Sequence, residues 1–242
     1  MWPFKSSQTI EESGLLKNSI DYHSHLLPGV DDGVQSMDDT LKILENFEKQ
    51  GIAQLWLTPH IMEDIPNSTE KLKNRFAELQ AAYTGNIKLH LAAEYMMDTL
   101  FEERLKAGDL LPLGEIGNHL LVETSYFNPP LRLYETLSSI KSKGYHPVLA
   151  HPERYHYMDE KDYKRLKSMD VKLQLNWASL AGGYGKPEKK KAEWLLKNDK
   201  YTVVGSDTHR ASMRHWEMRI STSVAKKMQS GSIIVESGDW NL

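Results

Sequence analysis

Near the start of the chain, Asp21-Tyr22-His23-Ser24-His25 is followed by Asp31-Asp32-Gly33, so two imidazoles and a carboxylate pair lie close in sequence. Residues two apart on a β-strand project to the same side, which lets His23 and His25 grip one metal ion. Alone, such a pair is equally compatible with a solvated strand edge, and the rest of the chain must decide between the two. The residues that follow the later apolar runs are His60, Glu94, Glu123, His151, Asp207 and His209. Imidazoles and carboxylates at the ends of most apolar runs would bring many groups that are costly to desolvate into one cavity unless cations pair with them.

The donors are nitrogen and oxygen only, because the chain has no cysteine. That set suits manganese, iron, zinc or cobalt rather than a soft metal. A single ion uses roughly four to six ligands. His23, His25, Asp32, His60, Glu94, Glu123, His151, Asp207 and His209 exceed that, so two or three divalent ions are expected, manganese foremost, with Glu94 as the bridging carboxylate. Two arginines stand beside ligand positions: Arg154 in His151-Pro152-Glu153-Arg154, and Arg214 shortly after His209. Guanidinium forks beside metals point to a bound phosphate or carboxylate. His90, His119, His146, His156 and His215 fall inside apolar runs or in polar loops and are read as structural or exposed. Tyr22, Tyr126, Phe127 and Tyr155 lie near ligands in sequence; they are read mainly as packing residues, with a cavity wall for an aromatic substrate as the alternative.

Composition narrows the classes further. With 242 residues and 40% hydrophobic content, the chain can form one large domain. Lys and Arg total 30 against 33 Asp and Glu, and the only dense basic tract is the short stretch from Lys186 to Lys191, so nucleic acid is not the expected partner. No apolar run reaches transmembrane length, and Met1-Trp2-Pro3-Phe4-Lys5 leads straight into polar residues, which excludes a signal-peptide pattern and predicts a cytoplasmic protein with no membrane insertion. The lack of cysteine removes disulfides, thiolate zinc sites and every cysteine nucleophile.

To hold these residues together, seven short apolar runs alternate with seven helical stretches. The runs are Ser19–His23, Ala53–Thr58, Lys88–Ala93, His119–Glu123, Pro147–Ala150, Lys172–Leu175 and Thr202–Gly205. The helices are predicted over Met37–Gln50, Thr69–Tyr83, Thr99–Ala107, Arg132–Lys143, Glu160–Ser168, Pro187–Asn198 and Ser212–Gln229. Ser36 and Gly51 bracket the first with cap chemistry. Such alternation predicts an α/β fold of parallel strands with crossover helices, and polar residues at the strand ends favour closure into a barrel with one mouth. Residues 1–17 read as a polar leader and 18–242 as the barrel with a C-terminal tail, whose Ile233-Ile234-Val235 is apolar. Either end could contribute an oligomer contact and so make a homo-oligomer.

Taken with their spacing, His23-x-His25 with Asp32, the lone His60, Glu94, Glu123, His151-Pro-Glu-Arg154 and Gly205-Ser206-Asp207-Thr208-His209 resemble the PHP family, named for polymerase and histidinol phosphatase domains. Within it, the run from His23 to Gly33 together with His151-Pro-Glu-Arg-Tyr155 is similar to the bacterial metal-dependent protein-tyrosine phosphatases of capsule and exopolysaccharide biosynthesis. The resemblance spans Asp21 to about Arg214. It implies a distorted seven-stranded (β/α)7 barrel with a trinuclear centre. One ion would take His23, His25, Glu94 and Asp207, a second Glu94, Glu123 and His151, and a third Asp32, His60 and His209. Arg154 and Arg214 would hold the phosphate.

The implied activity is phosphomonoester hydrolysis, on phosphotyrosine of a bacterial tyrosine kinase of the polysaccharide co-polymerase type. A metal-bridging hydroxide would be the nucleophile, and Asp207 or His209 would relay a proton to the leaving phenolate. A tyrosine phosphatase without cysteine must use metal-activated water, so chelation should abolish activity and thiol alkylation should not. The alternatives are a phosphoesterase acting on histidinol phosphate or a nucleotide, and a non-catalytic kinase-binding regulator.

Overall fold

The computed structural model describes residues 6–230. In chain order its first half runs β1 (Ser7–Thr9), β2 (Ser19–Asp21), α1 (Met37–Gln50), β3 (Ile52–Leu57), β4 (His60–Ile61), α2 (Thr69–Ala82), β5 (Lys88–Leu91), β6 (Glu94–Met96) and α3 (Thr99–Ala107). There follow β7 (His119–Glu123), α4 (Leu133–Ser142), β8 (His146–Ala150), α5 (Glu160–Ser168), β9 (Lys172–Asn176), α6 (Trp177–Ala181), α7 (Lys186–Lys197), β10 (Val203–Gly205), β11 (Arg219–Ser221) and α8 (Thr222–Ser230).

Local chemistry sets these boundaries. The Ser36 side chain accepts from the Asp39 amide to start α1, and Gly51 ends it at φ 91° with its N–H on Glu48 and Phe47 carbonyls. Thr40, Ile43, Leu44 and Phe47 are the buried stripe of that helix. Pro59 has no N–H and interrupts the ladder between β3 and β4. The backbone nonetheless stays in register, since Ala92 donates to Leu57 O (2.9 Å) and Glu94 to Pro59 O (3.1 Å).

The result is an α/β fold in one domain. Six strands form a parallel sheet in the order β10-β9-β8-β7-β6-β4, and β2-β3-β5 form a second parallel sheet. Backbone bonds join their edges: Tyr22 N donates to Val204 O (3.2 Å), and His25 N to Thr208 O (3.0 Å). Crossover helices pack outside, as parallel strands require. One apolar cluster gathers Ile20, Tyr22, Trp56, Ala92, Leu113, Leu121, Val148, Ala150 and Val203, and a larger one joins the sheets to the helices.

The region after Arg210 departs from expectation. Instead of one helix over Ser212–Gln229, there is a 3-10 turn at His215–Glu217, then β11, then α8. The helix is pre-empted because Arg219–Ser221 pairs antiparallel with Ser7–Thr9, a partner more than two hundred residues away. The residues expected as a leader therefore supply a strand and buried side chains: Ile10, Leu15 and Leu16 are at most 6% exposed. The apolar Ile233-Ile234-Val235 lies outside the described residues.

Candidate metal centre

Glu123 ends β7, His151 follows β8, His23 and His25 follow β2, and Asp207 and His209 follow β10, while His60 and Glu94 open the short strands that continue β3 and β5. One end of the parallel sheets thus delivers every ligand candidate except Asp32, which comes from the turn after His25. That turn is tight: a Cβ at Gly33 would lie 2.2 Å from the His25 carbonyl oxygen. Gly205 is likewise forced, since a Cβ there would come 2.4 Å from His23 Cβ. His151 (φ 33°) and Asp207 (φ 54°) are non-glycine residues in the left-handed region, a conformation that persists where the surroundings over-determine it.

All nine ligand candidates are brought together. Their donor atoms form four overlapping groups, each within 4.8 Å: His25, Asp32, His60 and His209; His23, His25 and Asp207; His23, Glu94 and His151; and His60, Glu94 and Glu123. Glu94 Oε2 has His23 Nε2 at 3.1 Å, His25 Nε2 at 3.3 Å and His60 Nδ1 at 3.2 Å, while its Oε1 is 3.1 Å from His151 Nε2. His60 Nδ1 is also 3.2 Å from Glu123 Oε1.

The donors fit divalent cations better than they fit one another. His23 Nδ1 donates to Gln174 Oε1 (2.6 Å) and His25 Nδ1 to Asp31 Oδ2 (2.8 Å). In the neutral tautomers so fixed, both Nε2 atoms present lone pairs, yet they face each other at 3.1 Å. Glu94 Oε2 is buried and, among the described residues, meets no well-aligned donor, although three imidazole nitrogens stand within 3.3 Å of it. Positive charge among these donors, from a bound cation or from an imidazolium proton, would reconcile these contacts.

The protonation equilibria express the same demand. Burial would lower His25, but the Asp31 carboxylate and contacts to Asp207 and Glu94 raise it well above the ordinary imidazole value. Burial would raise Glu94, but His23, His151 and His25 hold it well below the usual carboxylate range. Burial, with the charges of Glu94 and Asp207, pushes Glu123 well up, and burial lowers His60 to about 4.

Arg154 is mostly buried and reaches Asp207 Oδ2 through Nη1 at 3.1 Å. Arg214 is not brought to the centre: its side chain is 60% exposed and pairs with Glu217 at 3.1 Å. Tyr126 lies against His151 and Arg154, whereas Tyr22 and Tyr155 are core residues, the latter donating to Ala150 O. Phe127 is 71% exposed and stacks on His156. His215 is buried on Thr208, His90 stacks on Trp56, and His119 and His146 stack on each other away from the ligands.

Four further residues belong to the site. Asp31 orients His25 and also accepts from the His60 amide (3.0 Å); its own value is about 2, because His25 and two amides outweigh the effect of burial. Gln174 orients His23. Asn176 (2.9 Å) and Tyr184 (3.2 Å) donate to Asp207 Oδ2. The strict alternation Lys172-Leu173-Gln174-Leu175-Asn176 was the available signal for two of them, since it sets Gln174 and Asn176 on one face. Nothing local marks Tyr184.

Fold and site together define an α/β protein built around a nest of nitrogen and oxygen donors able to hold divalent cations. Residues 19–235 match the profile described as capsular polysaccharide synthesis, CpsB/CapC, and the chain belongs to that family. Tyrosine-protein phosphatase YwqE of Bacillus subtilis is 27% identical over 214 residues, covering 86% of this chain and 84% of that protein. Tyrosine-protein phosphatase CpsB of Streptococcus pneumoniae is 29% identical over 208 residues, covering 81% and 84%. A chain among the crystal structures of YwqE and CpsB, described as unique metal-dependent tyrosine phosphatases, superposes with TM-score 0.75 at 24% identity over 87% of this chain and 85% of that one.

Proposed function

We propose that this protein is a metal-dependent phosphomonoesterase that removes phosphate from phosphotyrosine on a bacterial tyrosine kinase governing capsule or exopolysaccharide synthesis. The observation that carries the reading is Glu94 Oε2, buried among three imidazole nitrogens beside an arginine with donors to spare. Its family membership and the names of its relatives support the same activity.

Two or three divalent ions, manganese foremost, would be held by His23, His25, Asp32, His60, Glu94, Glu123, His151, Asp207 and His209. When bound, they supply a water of lowered pKa and positive charge for the phosphoryl oxygens. Gln174 and Asp31 fix the two leading imidazoles as lone-pair donors. Arg154 offers its remaining N–H groups to the phosphoryl oxygens and neutralises charge in the in-line transition state. Arg214 would have to leave Glu217 to join it, so its replacement should cost less. His209, 20% exposed at the rim, can return a proton to the phenolate in any state where no cation engages its Nε2.

The reading also takes the two parallel sheets as arcs of one distorted seven-stranded (β/α)7 barrel. The edge bonds at Tyr22 and His25 support it, as does the register that carries β3 into β4 and β5 into β6. It places the enzyme in the cytoplasm with its kinase substrate. No helix among the described residues is long and apolar enough to cross a membrane.

Turnover of a tyrosine-phosphorylated peptide, histidinol phosphate and a nucleoside monophosphate, compared side by side, tests the substrate. The peptide should have the highest kcat/KM. Equal or better turnover of histidinol phosphate would overturn the assignment, and a fully metal-loaded but inactive protein would make it a kinase-binding regulator.

A further inference from the structure

Arg154 is held in an unusual way. Its guanidinium carbon lies over two aromatic rings, 4.2 Å from the centre of the Tyr126 ring and 4.1 Å from that of Tyr184. A planar cation packed against two aromatic faces is attracted by both quadrupoles and loses freedom to reorient. One edge is fixed as well, because Nη1 donates to Asp207 Oδ2. Two rings and one edge contact therefore hold the group, and the side chain is only 18% exposed. Arginine carries five N–H donors, and no other hydrogen bond of this guanidinium is found among the described residues.

The two rings are themselves anchored. Tyr126 follows Glu123 by three residues and touches His151. Tyr184 sits in Gly182-Gly183-Tyr184-Gly185, between Gly182 at φ 86° and Gly185 at φ 122°, a backbone that glycine adopts readily. Its hydroxyl donates to Asp207 Oδ2 at 3.2 Å and accepts from Asn176 Nδ2 at 3.2 Å. The glycine loop thus brings a phenol ring down onto the arginine and ties it to the carboxylate that the arginine also grips.

We propose that Tyr126 and Tyr184 are positioning residues: an aromatic clamp that fixes Arg154 with its free edge presented to a phosphoryl oxyanion. The proposal rests on the phosphomonoesterase reading for the identity of the ligand. The clamp acts before substrate arrives, because an arginine already oriented needs no ordering on binding. The tyrosine hydroxyls are unequal. Among the described residues only that of Tyr184 has hydrogen-bond partners, Asp207 and Asn176, so Tyr126 serves through its ring.

The test measures inorganic phosphate binding to the metal-loaded protein by calorimetry, beside kcat and KM on a phosphotyrosyl peptide and metal content. Tyr126→Ala should weaken phosphate binding about tenfold and raise KM with bound metal unchanged, and Tyr184→Ala should do the same at saturating metal, since it also removes a donor to Asp207. Tyr126→Phe should restore both, while Tyr184→Phe should restore phosphate affinity at least in part. In an Arg154→Ala background neither alanine should weaken phosphate binding further, since a clamp has nothing left to hold. Wild-type phosphate affinity in both alanine variants, or equal losses with and without Arg154, would overturn the proposal. If the wild-type protein binds phosphate and obeys this pattern yet does not hydrolyse the peptide, the substrate assignment fails and the clamp stands.

Discussion

One carboxylate shows how tightly the centre is specified. Asp207 Oδ2 takes donors from Arg154, Asn176 and Tyr184, which leaves Oδ1 facing His23 (3.5 Å), His25 (3.4 Å) and His209 (3.5 Å). Roles can therefore be separated by substitution. His151→Ala should lower metal content and rate together, whereas Arg154→Ala should leave metal content intact and cut kcat/KM by about a hundredfold or more; inductively coupled plasma analysis beside kinetics distinguishes the two. Asp31→Asn should weaken metal affinity by roughly 10–100-fold, because it removes the carboxylate that sets the His25 tautomer.

His215 makes a different prediction. Burial lowers its folded value to about 4 despite the nearby Asp207 carboxylate, whereas the unfolded chain takes up a proton near the ordinary imidazole value of about 6.5. The folded state binds fewer protons between those values, so this residue removes stability as pH falls through that window, on the order of 3 kcal/mol at its lower end. Urea unfolding of chelated protein at pH 7 and pH 4.5 should show a smaller loss for His215→Asn than for wild type. Eight of the nine ligand candidates were legible because imidazoles and carboxylates at strand ends are conspicuous in sequence, and Asp32 because it stands close after His23-x-His25. Tyr184 and the role of Asp31 were not: one depends on a glycine loop folding back, the other on which of two adjacent carboxylates turns inward.

At the scale of elements, the ligand-bearing strands were readable because hydrophobic runs and cap residues are local signals. Helix Ser212–Gln229 was not, because its first half is diverted into β11 by a partner at the opposite end of the chain. That β1–β11 ribbon fastens the segment after His209. Ile10, fully buried, donates its amide to Met218 O at 2.9 Å beside it. Ile10→Ala should cost about 2–4 kcal/mol in urea unfolding. Gly205→Ala on β10 should be worse for function than for folding, since the added carbon must displace His23; reduced metal content in a folded protein is the expected result.

For the whole molecule, nitrogen and oxygen donors from seven chain segments meet at one end of a parallel-stranded α/β fold, in a chain that has no cysteine to serve as a thiolate nucleophile. The family profile covers the ligand-bearing segments in one continuous match. The most direct measurement is metal content joined to turnover of a tyrosine-phosphorylated peptide, before chelation, after it, and after manganese is restored. Two or three equivalents of divalent metal are expected, with loss of activity when the metal is removed, recovery on re-addition, and no response to thiol alkylation. Full turnover by protein shown to be free of metal would contradict the metal dependence.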